Sequence, residues 1–461
     1  MEGLDSSVVT TALPAIAQDL ATSTPALAVT VTAYLISLAV CMPLGGWLAS
    51  RYGARQVFVA ALAVFAVGSL VCGLAPARAV LVLGRIVQGV GGAMMSPVGR
   101  AILISSVPKS EYIRAMNYVI IPGLLGPALG PIVGGFLATY ASWHWIFLIN
   151  LPLAVVGIAM SYRFIDDKIM PSDAERGLFD WIGYAYLIVA LGVGQAAIEM
   201  SGHGAPPLPA CAAGLISGFA FRLFFRRYRR TGNGILDLGL LRIRTFRLSV
   251  TAGSVARAGL GAVPFLLPLL LQIGFGYDAF HSGLVTFLVA VGAGAIRPLL
   301  AYLMRRLGCR RLLLANSLAA SVGLLGFLLF REKSSLWLMG PYVFMFGFLR
   351  TVQMSTMNAL SYTDVEKPDM GAASTIATLA QRLSVGLGVN VAALVLALVS
   401  GDKPPGLTAF AVAFSATAVL VLIAGAMFTR LHATDGWQIS ARAAPEELRK
   451  AQPEPVGPTD V

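Results

Sequence analysis

Two stretches set the fold: "GGWLASRYGARQVFV" (45–59) and "AYLMRRLGCRRLLLA" (301–315). Each holds an arginine, a glycine and a second arginine at alternate positions, Arg51, Gly53 and Arg55 in one and Arg306, Gly308 and Arg310 in the other. Each forms a short turn between two long apolar runs at matching places in the chain. A repeat of this sort predicts a protein built of two related halves, with any substrate path at their interface.

The flanking sequence supports that reading. Runs long enough to cross about 30 Å of hydrocarbon fall near 1–20, 27–50, 56–75, 79–104, 113–139 and 143–163. Two more lie at 180–200 and 207–226, and six near 245–275, 281–304, 310–330, 336–360, 371–399 and 407–430. The expectation is an all-α polytopic membrane protein of fourteen spans: a six-helix bundle (1–163), a linker with two extra helices and a basic loop (164–244), a second six-helix bundle (245–430) and a disordered polar tail (431–461). Composition agrees. The 461 residues are 57% hydrophobic and 12% charged, with mean hydropathy +0.77, against roughly 25% charged in a soluble domain.

The net charge of +12 does not point to nucleic acid, because Lys and Arg collect in short clusters between apolar runs and not on one domain. With a cytoplasmic N-terminus, the inside loops hold Arg51, Arg55, Lys109, Arg114, the "RRYRR" run (226–230), Arg242, Arg244, Arg247, Arg305, Arg306, Arg310 and Arg311. Arg78, Arg331, Lys333 and Lys403 are left outside. The positive-inside rule therefore predicts both termini in the cytoplasm. No phosphate-binding loop or metal-ligand spacing is present, so no cofactor is implied and an enzyme reading has no constellation to rest on. Cys41, Cys72, Cys211 and Cys309 read as small apolar residues, and His144, His203, His281 and His432 as isolated ones. Trp143, Trp145 and Trp181 sit at the edges of runs and read as interfacial anchors.

Several ordered motifs carry a family resemblance over residues 1–430: "LDSSVVTTALPAIAQDL" (4–20), "GWLASRYGAR" (46–55), "LGRIVQGVGGAMMSPVGR" (83–100), "GLLGPALGPIVGGFL" (123–137), "ASWHWIFLINLP" (141–152), "LQIGFGYDAFHSG" (271–283) and "MNALSYTDV" (357–365). The chain resembles the fourteen-span drug:proton antiporters of the major facilitator superfamily, the EmrB/QacA type. The resemblance implies a secondary exporter in the inner membrane, with small molecules, protons and the lipid bilayer as partners. Periplasmic or outer-membrane efflux partners stay open.

Asp5 lies fourteen residues before Asp19, roughly 21 Å of helix, hence deep in the bilayer. A charge there is costly, and Met1 is expected to be an internal methionine with the true start upstream. Asp5 has two readings. It is an acid satisfied by backbone and hydroxyls such as Ser6, or a carboxyl that loads and releases a proton, since low dielectric favours a carboxyl's neutral form. Arg85, with Gln88 and Gly89 in step, matches the family's fourth-helix pattern, which implies a part in proton transfer. Counted from the outer loop Arg85 is shallower than Asp5, so the sequence supports no claim of direct contact between them.

Gly126, Gly130 and Gly134 recur every four residues, a face on which another helix can come close. Pro122, Pro127 and Pro131 are expected to bend that span, and Asn117 replaces an early glycine of the motif. With Gly135, these residues form the pattern that marks exporters in the family. Gly46, Arg51, Gly53 and Arg55 match the family's gating loop, whereas Ser50 stands where relatives carry an aspartate that locks the halves together. In the second half Arg257, Gln272, Arg297, Arg350, Gln353, Asn358, Gln381 and Arg382 lie in or near spans. They are either helix-end residues reaching the interface or path-lining groups favouring an anionic or zwitterionic substrate. Amphipathic drugs are the substrate class the resemblance implies. A dedicated metabolite exporter and a non-transport membrane sensor are the alternatives.

Overall fold

The computed structural model describes residues 1–106, 112–165, 180–202, 207–231, 237–331, 334–366, 369–401, 403–432 and 434–436. The backbone alone is described at 104–106, 112–124, 199, 202, 207, 231 and 336. The first stretch holds α1 (Glu2–Asp19), α2 (Ala28–Tyr52), α3 (Ala54–Gly73), α4 (Arg78–Ser106), α5 (Tyr112–Tyr140), α6 (His144–Leu148) and α7 (Asn150–Phe164). Next come α8 (Trp181–Gly202) and α9 (Pro207–Thr231). The second stretch holds α10 (Arg244–Gly261), α11 (Val263–Leu269), α12 (Ala279–Ala295), α13 (Arg297–Leu307), α14 (Cys309–Gly326), α15 (Leu336–Ser361), α16 (Met370–Ser400) and α17 (Leu407–Phe428). No strand occurs among the described residues. That is what a bilayer demands of a chain that must satisfy its own backbone.

Ten helices among the described residues are long and apolar enough to cross a membrane, or eleven if α12 and α13, bent by 54° at their junction, form one span. The fourteen expected from apolar runs are not reached by that measure; α1, α5 and α15 fall outside it yet pack into the same assembly. Burial separates centre from rim. An 18-residue apolar window within Arg244–Gly274 is 83% buried, whereas the one within Leu208–Arg230 is 17% buried. So α9, paired with α8, is peripheral and α10–α11 are central. The two stretches meet along α2 with α16, α5 with α12, and α1 with α11.

The repeated turn has one structural role at both places. Gly53 (φ 91°) and Gly308 (φ 76°) take a left-handed conformation that suits a residue without Cβ, and each starts a helix. The arginine two residues on then reaches a helix C-terminus in its own stretch. Arg55 Nη1 donates to the Ile165 carbonyl at the end of α7 (3.3 Å), and Arg310 Nη2 to the Thr429 carbonyl at the end of α17 (3.2 Å). A cation on orphan carbonyls at the negative end of a helix is favourable.

Trp143 departs from the anchoring role expected of it. It is buried, and its indole N–H donates to Asp19 at 2.9 Å, tying the end of α1 to the loop before α6. Trp145 and Trp181 are exposed at element edges. Apolar patterning alone does not separate a tryptophan facing lipid from one turned toward a polar partner inside the bundle.

Candidate functional site

The centre of the first stretch is a charged cluster shut off from solvent. Asp5 on α1 is 1% exposed, and Arg85 and Gln88 on α4 are fully buried. Small residues beside Arg85 explain how α4 enters so tightly packed a place. A Cβ at Gly91 would stand 2.5 Å from the Phe65 backbone nitrogen of α3, and one at Gly89 2.8 Å from the Tyr34 carbonyl of α2. Both neighbours therefore press against α4 on either side of the arginine.

Arg85 Nη1 donates to Asp5 Oδ2 at 2.5 Å and to Gln88 Oε1 at 2.8 Å, and Arg85 Nε to the Thr30 carbonyl at 3.1 Å. The other carboxylate oxygen, Asp5 Oδ1, accepts from Asn150 Nδ2 (3.1 Å) and Gln88 Nε2 (3.2 Å). Gln88 Nε2 also donates to Ser69 Oγ at 2.6 Å. The Arg85 guanidinium lies over the Tyr34 ring, 4.1 Å from its centroid, a cation–π contact that strengthens away from water. Buried charge is tolerable when paired and hydrogen-bonded on its remaining valences, and this pair meets both conditions. Chemically, the site is a carboxylate whose one charge partner among the described residues is Arg85, so adding a proton to Asp5 would remove the counterion that guanidinium has there.

Contact between Asp5 and Arg85 goes beyond what residue counting supports. Arg85 is seven residues from the start of α4 at Arg78, roughly 10 Å of helix, against roughly 21 Å for Asp5 from Asp19. Residue counting takes helix ends as level. Here stagger between the helices and the reach of a long side chain close the gap.

The glycine-rich helix α5 is wedged between two partners. Cβ atoms at Gly126, Gly130 and Gly134 would run into Leu4, Ser7 and Val8 of α1, and one at Gly135 would lie 2.3 Å from the Ala279 carbonyl of α12. Pro127 packs on Gly3, and the Pro131 carbonyl on Gly283. The close approach expected of this spacing is present, with one face of α5 serving α1 and the adjoining edge serving the second stretch. Through all three prolines α5 continues as one helix.

At the first of the two repeated turns, Ser50 Oγ donates to the Trp47 carbonyl of its own helix at 2.8 Å. Arg51 lies over the Trp47 ring at 5.7 Å, and a Cβ at Gly46 would meet nothing. Other candidates scatter. Gln272 donates to the Thr11 carbonyl at 2.8 Å, joining the two stretches. Arg257, buried, donates to Asn358 at 2.6 Å through Nη2 while its Nε finds no partner. Arg350 is half-buried with its Nε likewise unpartnered, and Gln381 is exposed. Lys109 lies outside the described residues, and of Arg114 and Asn117 only the backbone is described.

Arg382 pairs with Glu2, whose second oxygen accepts from Ser96 Oγ at 2.8 Å. Sequence reasoning passed over Glu2 although it stands three residues before Asp5, where a helix places neighbours on one face. Asn150 was missed too. Its only signal was a lone amide in "FLINLP" (147–152) where α6 gives way to α7. Tyr34 and Ser69 carried no signal in an apolar run.

A cavity of about 1240 Å³ opens at the end away from the basic turns. Pro14, Ala15, Ala17 and Gln18 of α1, Gln195 of α8, Gln272, and Asn390 of α16 are among its walls, with Asp278 and Lys403 at its loops. Gln195 and Asn390 exchange amide hydrogen bonds (3.1 and 2.6 Å), and Gln195 also donates to Thr32 Oγ1 of α2 at 2.7 Å. The peripheral pair α8–α9 is thereby tied into the cavity wall. Asp5 is not part of that wall.

Two related helical stretches around one cavity, with a sealed acid–guanidinium pair between α1 and α4, define a multi-pass membrane transporter. Residues 1–389 match the Major Facilitator Superfamily, and the chain belongs to that family. It is 33% identical over 439 residues to the protein named "Putative multidrug resistance protein MdtD" of Pectobacterium atrosepticum, spanning 94% of this chain and 93% of that one. It is 34% identical over 437 residues to the protein of the same name in Escherichia fergusonii, spanning 94% and 92%. In fold it is similar to a mutant of the nucleoside transporter NupG (TM-score 0.66, 13% identity, 92% of this chain and 96% of that one). The E. coli xylose transporter XylE in a partially occluded inward-open form is also similar (TM-score 0.58, 13% identity, 94% and 96%).

Proposed function

We propose that the protein exports amphipathic drugs or related small molecules by proton antiport, with Asp5 as the proton carrier and Arg85, Gln88 and Asn150 holding its charged form. The observation that carries the reading is the sealed Asp5–Arg85 pair. Protonating Asp5 removes the charge that fixes Arg85, so proton binding is coupled to packing between α1 and α4. Residues 1–163 and 245–430 then act as two bundles that rock about α2–α16 and α5–α12, with 164–244 as the linker carrying two extra helices. The clusters of Lys and Arg support an inner-membrane protein with cytoplasmic termini, so the cavity faces outward, toward the side of release. The multidrug resistance for which the MdtD relatives are named supports drugs as substrates. The buried Arg257 favours a second reading, export of one anionic metabolite that would lie against its guanidinium.

Inside-out vesicles energised to an acid interior and loaded with a pH-sensitive dye test this. Lipophilic cations, then organic anions, are added. Proton release on addition, lost in Asp5→Asn, is the expected result, and the responding set names the substrate's charge. Equal release from folded Asp5→Asn would refute the role of Asp5. Silence across the panel would refute antiport of these compounds.

A further inference from the structure

The conformation raises a question of its own. A cavity open at one end requires the other end to be held shut, and Ser50, bonded back onto Trp47, spans nothing. We infer that the Glu2–Arg382 ion pair is the clasp that holds the two stretches together on the basic side of the cavity floor, in place of the link Ser50 does not make. The inference rests on the alternating-access reading above.

Its position fits. Helices α1 and α16 both run toward the cavity mouth, and they belong to different stretches. On α1 the wall begins at Pro14, twelve residues beyond Glu2, roughly 18 Å of helix. On α16 the first wall residue is Asn390, eight beyond Arg382, roughly 12 Å. The pair therefore lies beneath the floor. The Asp5–Arg85 pair cannot do this work, because α1 and α4 lie in the same stretch and move together. The Glu2–Arg382 pair joins parts that must separate.

Burial fits as well. The Arg382 side chain is 28% exposed and that of Glu2 12%, against 1% and 0% for Arg85 and Asp5. Water can reach the partners as they part, so breaking the pair avoids the full penalty of an isolated buried charge. Ser96 on α4 donates to the free oxygen of Glu2 and keeps it aimed across the interface.

The test reads which end is open. In full-length protein reconstituted in nanodiscs, Cys211→Ala removes the exposed cysteine, and Cys41, Cys72 and Cys309 are buried. Ala397→Cys on the cavity wall is then labelled with an impermeant maleimide. Losing the clasp should move the population away from the outward-open form. Glu2→Gln and Arg382→Gln should each lower the ratio of outward-open to closed protein about fivefold, the shift expected for about 1 kcal/mol, and slow labelling accordingly. Arg382→Lys, which keeps the charge, should label closer to wild type than Arg382→Gln. Wild-type rates in both glutamine variants, or equal slowing by Lys and Gln, would overturn the clasp. If a glutamine variant does not fold, Glu2→Asp takes its place: an intermediate rate supports the proposal, and a wild-type rate overturns it. Labelling needs no proton coupling. Normal proton release with unchanged labelling sinks the clasp alone, whereas absent release with slowed labelling sinks the antiport reading alone.

Discussion

Replacing Asp5 by Asn keeps the shape of the side chain and removes its charge. Arg85, fully buried, then faces an amide in place of the carboxylate 2.5 Å away, and the bonds from Asn150 and Gln88 to Oδ1 lose their charge assistance. Removing one partner of a buried pair costs about 3–5 kcal/mol, chiefly because the other is left uncompensated. The Tyr34 ring under Arg85 offsets part of this, by about 2 kcal/mol, so a loss of about 1–3 kcal/mol is expected. Arg85→Gln should cost a similar amount. The double variant Asp5→Asn/Arg85→Gln buries no charge and should cost clearly less than the two single losses added together, with a coupling energy of at least about 1.5 kcal/mol. Unfolding of the four purified proteins in one detergent, followed by tryptophan fluorescence against denaturant, measures the cycle. Additive losses, or a single-variant loss under about 1 kcal/mol, would refute the claim that the pair is sealed and mutually dependent.

Two further predictions concern packing and symmetry. Gly91→Ala should destabilise by about 1–3 kcal/mol, because its Cβ would meet the backbone of α3 at 2.5 Å. Gly46→Ala, whose Cβ meets nothing, should be neutral or stabilise α2 by up to about 1 kcal/mol. Thermal unfolding of the two variants side by side checks both, and equal effects would contradict the packing described. Arg55→Ala and Arg310→Ala should each cost about 0.5–2 kcal/mol through loss of the same contact to a helix C-terminus. Denaturant titration showing an effect at only one of the two positions would disprove the shared role of the repeated turn.

By itself the sequence determined the class, the all-helical fold and the two-fold character of the chain. Those follow from properties local to a segment: apolar length against bilayer thickness, and an arginine–glycine–arginine turn occurring twice. It also marked Asp5 and Arg85, since any ionisable group deep in an apolar run is conspicuous, and Gln88 as in step with Arg85 in the family pattern, and it marked the glycine face of α5 by its spacing. Partners were a different matter. That Arg85 reaches Asp5, that Asn150 completes the shell and that Glu2 meets Arg382 380 residues away depend on helix stagger, rotation and side-chain reach, none of which leaves a trace in spacing along one helix. The same holds for Gln195 and Asn390, polar residues in apolar runs that became a cavity wall only when α8 came against α16. Which residues could carry charge was legible one helix at a time. What they act on was decided where the helices met.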